Sequence, residues 1–521
     1  MKILLILSAV LISVNGARIL AVFPTPSISH QVVFRPLIHE LANRGHEVVL
    51  LTTDPVFPRG GGPANLTEID LHDISYKPWV DYVTEVDLIN MEPSVDYDRL
   101  AMAKMLAIIF KNIMKVHLLA DPVQKLINDK TQHFDLLIIE AYQRPALVYS
   151  HIFKAPLIQM SSFGSVTYNL ETVGAAMHPI LYPDIFSRKF NNLTLTERIN
   201  EYYNFAVRQY VSYIIEKEEN EMLKQIIGPN VPPLNDLANN VDMVFLNVHP
   251  IWDFNRPVPP NVVYLGALHI KPEKELPQDL KTYLDSSKNG VIYMSFGTNV
   301  DPSLFPHGSV EIFLEVLGDL HYDVLWKWHT EDVEGLPKNV KISKWLPQRD
   351  LLMHQNIKLF ITQGGLQSTD ETILAGVPVV GIPMMGDQWY NVDRYVDLGM
   401  GVRIDIKTMN ADVFRKAVST VINDKSYREN IIKLRAIMHD QPQSPLQRAV
   451  WWTEHVLRHA GARHLRARAA NMRWTDYYEV ELVAYTVAAL VLVLIVIGFV
   501  IRFLVKFVIG ALSRKNKLKI N

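Results

Sequence analysis

Four short stretches of this chain carry side chains able to do chemistry, and each has a bland reading beside it. In FITQGGLQSTDE (360–371) an apolar run ends in Gly364 and Gly365, and polar residues then lead to Glu371. Paired glycines after a strand let something approach the backbone closely. If a helix starts there, its N-terminus favours an anion, which an acid one turn in should repel. Ser368-x-x-Glu371 also matches a capping box, which closes a helix end for about 1 kcal/mol with no ligand involved. Asp387–Gln388 follows GIPMMG. A carboxylate and an amide side by side can hydrogen-bond several hydroxyls of one hexose, or can simply begin a turn after Gly386. His30 follows the first apolar run; imidazole is the natural general base near neutrality, worth about 10²–10⁴ in rate. As one of 18 histidines it is otherwise an ordinary loop or cap residue. Glu140 ends HFDLLIIEA and would serve as the carboxylate that fixes such an imidazole's tautomer, or would make a buried structural hydrogen bond.

Several chemistries are excluded. The first βα turn, FPTPSISHQ, lacks the glycines of a dinucleotide fingerprint, and no G-x-x-x-x-G-K-[ST] occurs. SSFGS (161–165) lacks the spacing of a nucleophile elbow. No H-E-x-x-H or dense His/Asp cluster points to a metal. The chain has no cysteine, which removes disulfides, thiolate metal sites and cysteine nucleophiles. Lys plus Arg is 52 against 54 for Asp plus Glu, and this near balance gives no support for nucleic-acid binding. A glycoside hydrolase would need two carboxylates around one bond, and no such pair is identifiable.

The elements that must position these residues follow from periodicity. ARILAVFP reads as a buried strand, HQVVFRPLIHELANRG as an amphipathic helix closed by Gly45, and HEVVLLTT as a second strand. Strand, helix and strand in this order make a βαβ unit and hence a parallel sheet, with His30 in the loop between the first strand and the first helix. The same grammar restarts at NGVIYMSFGT (289–298) and continues through DVLWKW, VKISKWLP, IKLFITQGG, TILAGVPVVGIP and GVRIDI. The proline-rich NRPVPPNVVYLGALHIKPEKELPQDL lies between, placing a boundary at 265–285. The expected class is therefore α/β, with two Rossmann-like doubly wound domains facing a cleft, since ligands of open α/β sheets bind beyond the carboxyl ends of the strands.

Both ends carry addresses. Met1–Gly16 has Lys2, an apolar run and a small residue at Gly16, and reads as a secretory signal peptide. Leu482–Ile501 is twenty residues without a charge, enough to cross the roughly 30 Å hydrocarbon core as a helix. Arg502, Lys506, Arg514, Lys515, Lys517 and Lys519 follow it, whereas Glu479 and Glu481 precede it. The positive-inside bias puts the tail in the cytosol and the rest in the lumen, where Asn65–Leu66–Thr67 and Asn192–Leu193–Thr194 fit glycosylation acceptors.

The stretch 345–401, WLPQRDLLMHQNIKLFITQGGLQSTDETILAGVPVVGIPMMGDQWYNVDRYVDLGMG, resembles the UDP-glycosyltransferase family, the membrane-bound glucosyl- and glucuronosyltransferases of animals. NRPVPPN, SFGT and RAVWWTEHVLRHAGARHL extend the resemblance over nearly the whole chain. It implies a GT-B fold with an acceptor-binding domain at 17–268, a UDP-sugar-binding domain at 269–450, a helical return and membrane-proximal segment at 451–479, a span at 480–503 and a basic tail at 504–521. It implies that UDP-sugar is a co-substrate, with no bound cofactor or metal. The partners would be that donor, a small lipophilic alcohol or phenol and the membrane, with an oligomer left open. ITQGGLQS is most similar to the insect branch, implying UDP-glucose.

The family's catalytic histidine and its acidic partner correspond to His30 and Glu140, where Asp is usual. Its donor-binding positions fall on Arg256 and Ser295 (diphosphate), Trp345 and Gln348 (uracil and nucleoside), Gln363, Gly364, Gly365, Gln367 and Ser368, Glu371 (ribose), and Asp387 and Gln388 (sugar). Without the resemblance Trp345 would read as core and Arg256 as a surface cation. Two departures stand out: Gln363 replaces the usual histidine and cannot become cationic, and Gln367 stands where vertebrate relatives often have Asn. The expected reaction is a single displacement with inversion. KLKIN at the end resembles a retrieval signal of the endoplasmic reticulum. A membrane-anchored, non-catalytic lipophile-binding protein on the same fold is the alternative.

Overall fold

The run RILAVF forms β1 (Arg18–Phe23), whose last five residues are buried. It feeds the helix α1 (Ile28–Asn43), which lays Val33, Phe34, Leu37, Ile38 and Leu41 onto the sheet. β2 (Glu47–Thr52) returns parallel to β1, and β3 (Leu66–Asp70) extends the edge. β4 (Leu136–Glu140), β5 (Leu157–Ser161), β6 (Val241–Leu246) and β7 (Val262–Tyr264) complete a seven-stranded parallel sheet in the order β3-β2-β1-β4-β5-β6-β7. The computed structural model describes residues 16–85, 99–298, 305–330 and 332–517. Residues 1–15 of the expected signal segment, and Lys519 of the tail, lie outside the described residues.

The second sheet is built from β8 (Val291–Ser295), β9 (Asp323–Lys327), β10 (Val340–Ser343), β11 (Ile357–Thr362), β12 (Val379–Gly381) and β13 (Gly401–Arg403). Its order is β10-β9-β8-β11-β12-β13, again all parallel. Strands buried on both faces by crossover helices read as continuous apolar runs, and VIYMS and the burial of IKLFIT follow that rule. The two helices that matter for the site are α2 (Leu366–Ala375), after β11, and α3 (Gln388–Asp397), after β12.

The chain crosses between the halves twice. After the second sheet, α4 (Pro445–Arg458) returns to the first half, where Ala449 and Val450 join the cluster that contains Phe34, Leu37 and Ile38. The boundary expected at residue 450 therefore falls inside one helix, because the apolar face that packs on α1 begins ahead of it. The last helix, α5 (Val480–Lys517), is long and apolar enough to cross a membrane along Val480–Ser513, and none of that stretch is buried in the protein. Asn65 and Asn192 are both exposed.

Candidate active site

Each sheet ends at the cleft with its carboxyl edge. On the first, Glu140 closes β4 with its side chain fully buried, and His30 reaches it from α1: Nδ1 lies 2.7 Å from Oε1. Ser27 is the N-cap of α1, so His30 occupies the first helical turn rather than the loop expected for it. The helix starts earlier than the apolar periodicity because Ser27 already takes the extended cap conformation. The loop beneath is fixed. Thr25 N donates to Glu140 Oε2 at 3.0 Å, and buried Gln31 donates to the carbonyls of Phe23 and Thr25 at 3.0 and 3.3 Å. Both Glu140 oxygens thus accept, so Nδ1 of His30 carries the proton and Nε2 keeps its lone pair for an incoming hydroxyl. Tyr142 and Phe163 stand edge-on to the imidazole, with ring centroids at 6.1 and 5.3 Å.

On the second sheet, β11 runs into Gln363, Gly364 and Gly365. Gly365 is the N-cap of α2, with no side chain capping the helix and no acid in its first turn. The first backbone N–H groups of α2 are therefore free to meet an anion. The two glycines differ. Gly364 has φ +89, and a Cβ there would lie 2.5 Å from Val392 Cγ2 on α3. What approaches Gly364 closely is the protein itself. A Cβ on Gly365 would meet nothing nearer than Gln363 Nε2 at 3.7 Å. The Gln363 side chain fills the space beside Gly297 of SFGT, and its Oε1 is buried without a hydrogen-bond partner among the described residues.

The capping-box reading of Ser368-x-x-Glu371 falls, because both residues lie inside α2 and Gly365 holds the cap. They share one helix face instead, and Gln348 binds both: its Nε2 donates to Ser368 Oγ at 2.8 Å and to Glu371 Oε2 at 2.7 Å, while Tyr293 OH donates to its Oε1 at 3.0 Å. Both amide hydrogens of Gln348 are thus committed to the protein; it positions Glu371 rather than offering a free amide. Glu371 stands about 7 Å along the axis from the first residue of α2, clear of the helix end where an anion would sit. Burial pushes its carboxyl up to about 7, with the Gln348 hydrogen bond opposing.

Trp345 is 72% exposed, far from the core position that a lone tryptophan would normally take. Lys327 Nζ lies 5.1 Å from its ring centroid and donates to Gly297 O at 3.0 Å. This lysine, which sequence reasoning missed, places a cation beside SFGT at the end of β9. Ser295 ends β8, buried, with Oγ accepting from Gly297 N at 3.3 Å.

Asp387 is the N-cap of α3. Burial raises its carboxyl above the usual range, with the Asn391 hydrogen bond pulling the other way. Asn391, also missed, is the connector. Its Nδ2 donates to Asp387 Oδ2 and to Gly364 O, both at 2.8 Å, and its Oδ1 accepts from Trp252 Nε1 of the first half at 2.9 Å. Its place four residues after Asp387 puts it on the same helix face, which is the one signal the sequence offered. Gln388 Oε1 is occupied by Met384 N and Met385 N, both at 2.9 Å, which leaves only its amide nitrogen uncommitted among the described residues. Gln367 reaches across to Ser162 O at 3.4 Å, and its own carbonyl faces His269 Nε2 at 3.2 Å.

Arg256 is neither a surface cation nor open to a diphosphate. It is buried, and all three guanidinium nitrogens donate within the first half: to Asp253, to Ala176 O at 3.0 Å and to Tyr182 O at 3.4 Å. A buried guanidinium with its carboxylate partner in place holds structure.

The chain is similar to solved structures of the same architecture. It matches UDP-glucose: anthocyanidin 3-O-glucosyltransferase in complex with UDP at a TM-score of 0.57 and 17% identity, covering 85% of this chain and 100% of that one. It matches CalG4, the calicheamicin glycosyltransferase, at 0.56 and 16%, covering 85% and 98%. These likenesses establish the GT-B fold. Among proteins, it is 36% identical to the ecdysteroid UDP-glucosyltransferase of Spodoptera littoralis nuclear polyhedrosis virus, over 93% of this chain and 96% of that one. It is 32% identical to UDP-glucosyltransferase 2 of Dactylopius coccus, over 93% and 92%. Residues 18–515 match the family model described as UDP-glucoronosyl and UDP-glucosyl transferase, and the chain belongs to that family as an enzyme that transfers sugar from a UDP-sugar donor.

Proposed function

We propose that the enzyme transfers glucose from UDP-glucose to a hydroxyl of a small lipophilic acceptor, in one displacement that inverts the anomeric carbon. The observation that carries this reading is the hydrogen bond of His30 Nδ1 to the buried Glu140 carboxylate at the carboxyl edge of the first sheet, which leaves Nε2 for the acceptor. His30 Nε2 takes the acceptor proton, the oxygen attacks C1 of the sugar, and the bond from C1 to the diphosphate breaks with its electron pair leaving on UDP. Glu140 stabilises the imidazolium that forms. The free N–H groups at the start of α2 and the Lys327 cation meet the departing charge. Trp345 stacks on uracil, Glu371 accepts from the ribose hydroxyls, and Asp387 with the Gln388 amide nitrogen holds the hexose.

The relatives, several of them named as glucosyltransferases and some as ecdysteroid glucosyltransferases, support glucose as donor sugar and a polycyclic alcohol or phenol as acceptor. That chemistry suits conjugation of hormones, pigments or foreign compounds. The exposed α5 anchors the chain once in the endoplasmic reticulum membrane, with the catalytic halves and the exposed Asn65 and Asn192 in the lumen and the basic tail in the cytosol. A donor-by-acceptor screen on microsomes expressing the protein tests the assignment. Release of UDP from UDP-glucose with phenols or sterols, and a β-glucoside product, is expected. A retained α-linkage, or no transfer from UDP-glucose to any acceptor, overturns it.

The ribose contact predicts a pH dependence. Ribose hydroxyls donate better to an ionised carboxylate, and Glu371 ionises at about 7 in the free protein. Uridine, which has no phosphate to titrate, should therefore bind more tightly as pH rises from about 6 to about 8. Glu371→Gln should flatten the profile, as followed by calorimetry. Folding has the opposite sign: because this carboxyl is raised, its contribution to stability is present at low pH and is lost as pH climbs through about 7.

A further inference from the structure

We propose that Tyr142 determines acceptor specificity: its hydroxyl donates to a second oxygen on the acceptor, so that molecules with two oxygen functions are favoured over those with one. The inference rests on the reading above and sharpens its substrate class. Tyr142 lies two residues beyond Glu140, with its ring 4.2 Å from that of Phe163 and 6.2 Å from that of Phe110, in a cluster with Val166 and Ile185. Its hydroxyl is buried and has no hydrogen-bond partner among the described residues.

The carboxyls whose charges bear on this phenol are Asp387, Asp184 and Glu140, and each has other donors. Glu140 takes His30 and Thr25, Asp184 takes Phe186 N and Thr167 Oγ1, and Asp387 takes Asn391. The neighbouring Tyr168 hydroxyl, by contrast, is committed to Ala141 O. Burial first, and then the nearby charges, keep the Tyr142 phenol protonated, so it is a standing donor beside the base. Donation to the attacking oxygen itself would draw off the electron pair needed for attack. The productive partner is another oxygen of the same acceptor. Because the ring belongs to the apolar wall of the first half, that oxygen belongs to the acceptor and not to the sugar.

A site built to pair a substrate oxygen discriminates against the analogue lacking it. The test compares 2-naphthol with 2,3-dihydroxynaphthalene in the full-length enzyme, wild type and Tyr142→Phe. The preference for the dihydroxy compound in kcat/KM should fall about tenfold or more in the variant, with KM for UDP-glucose and Tm unchanged, since the hydroxyl bonds none of the described residues. Comparing the ratio between the two enzymes cancels the acceptors' intrinsic reactivities. An unchanged ratio, an equal loss on both acceptors, or a raised KM for UDP-glucose overturns the assignment. If the wild type glucosylates the naphthols and only the ratio fails to respond, the role of Tyr142 falls alone. If it glucosylates no acceptor, the function on which that role rests falls first.

Discussion

His30→Ala is expected to slow sugar transfer by about 10²–10⁴-fold while UDP binds with wild-type affinity. The imidazole belongs to the first half, and the residues assigned to the nucleotide lie in the second, so kcat and the calorimetric Kd for UDP should separate cleanly. Alanine also leaves Glu140 buried with only Thr25 N as donor, and an uncompensated buried carboxylate destabilises. His30→Gln removes that ambiguity. Its amide can still donate to Glu140, but it has no basic nitrogen to take a proton. Both variants should lose transfer, and only the alanine variant should lose thermal stability. Near-normal turnover in both would assign the base elsewhere.

The paired glycines should part company in the same way. At Gly364, alanine must adopt φ +89 and place a Cβ 2.5 Å from Val392 Cγ2 and 3.2 Å from Gln388 O. Backbone strain and overpacking together cost about 2–5 kcal/mol, enough to loosen α3 from β11. Gly365→Ala keeps φ −62 and meets only an ordinary contact at 3.7 Å. Its folding penalty is the lost N-cap preference, about 1 kcal/mol or less. If the diphosphate rests against the start of α2, this second variant should weaken UDP about tenfold or more with the fold intact. Thermal melting and UDP calorimetry on the pair decide it: equal UDP affinity for Gly365→Ala and wild type would move the diphosphate away from α2.

Much of this site was legible because its determinants are local. VIYMS, IKLFIT and VVG in the second half are buried runs whose composition announces them, whereas β3 is half-exposed and carries no such signature. His30 and Glu140 are paired through the family resemblance, and the fold brings them together from the first turn of α1 and the end of β4. The errors came where a local pattern had two structural solutions. Ser368-x-x-Glu371 fits a cap or one face of a running helix, and only the glycine at the cap decided between them. Arg256 reads as free until the fold supplies Asp253 and two carbonyls. Gln348 and Gln388 are assigned by the resemblance, and no local pattern shows that their amides are largely spent on neighbours. Asn391 offered only its spacing from Asp387, because its partner Trp252 lies in the other half of the chain.

The return of α4 to the first half has a practical consequence. Leu446, Ala449, Val450 and Val456 complete the apolar layer over Val33, Phe34, Leu37 and Ile38, and Arg44 pairs with Glu454 on its rim. A fragment ending near residue 268 would bare that layer to water, so it would aggregate rather than behave as an autonomous module. A proteolytic nick in the proline-rich connector would give two polypeptides with no covalent link between them, and the packing of α4 on the first half would be what holds them together.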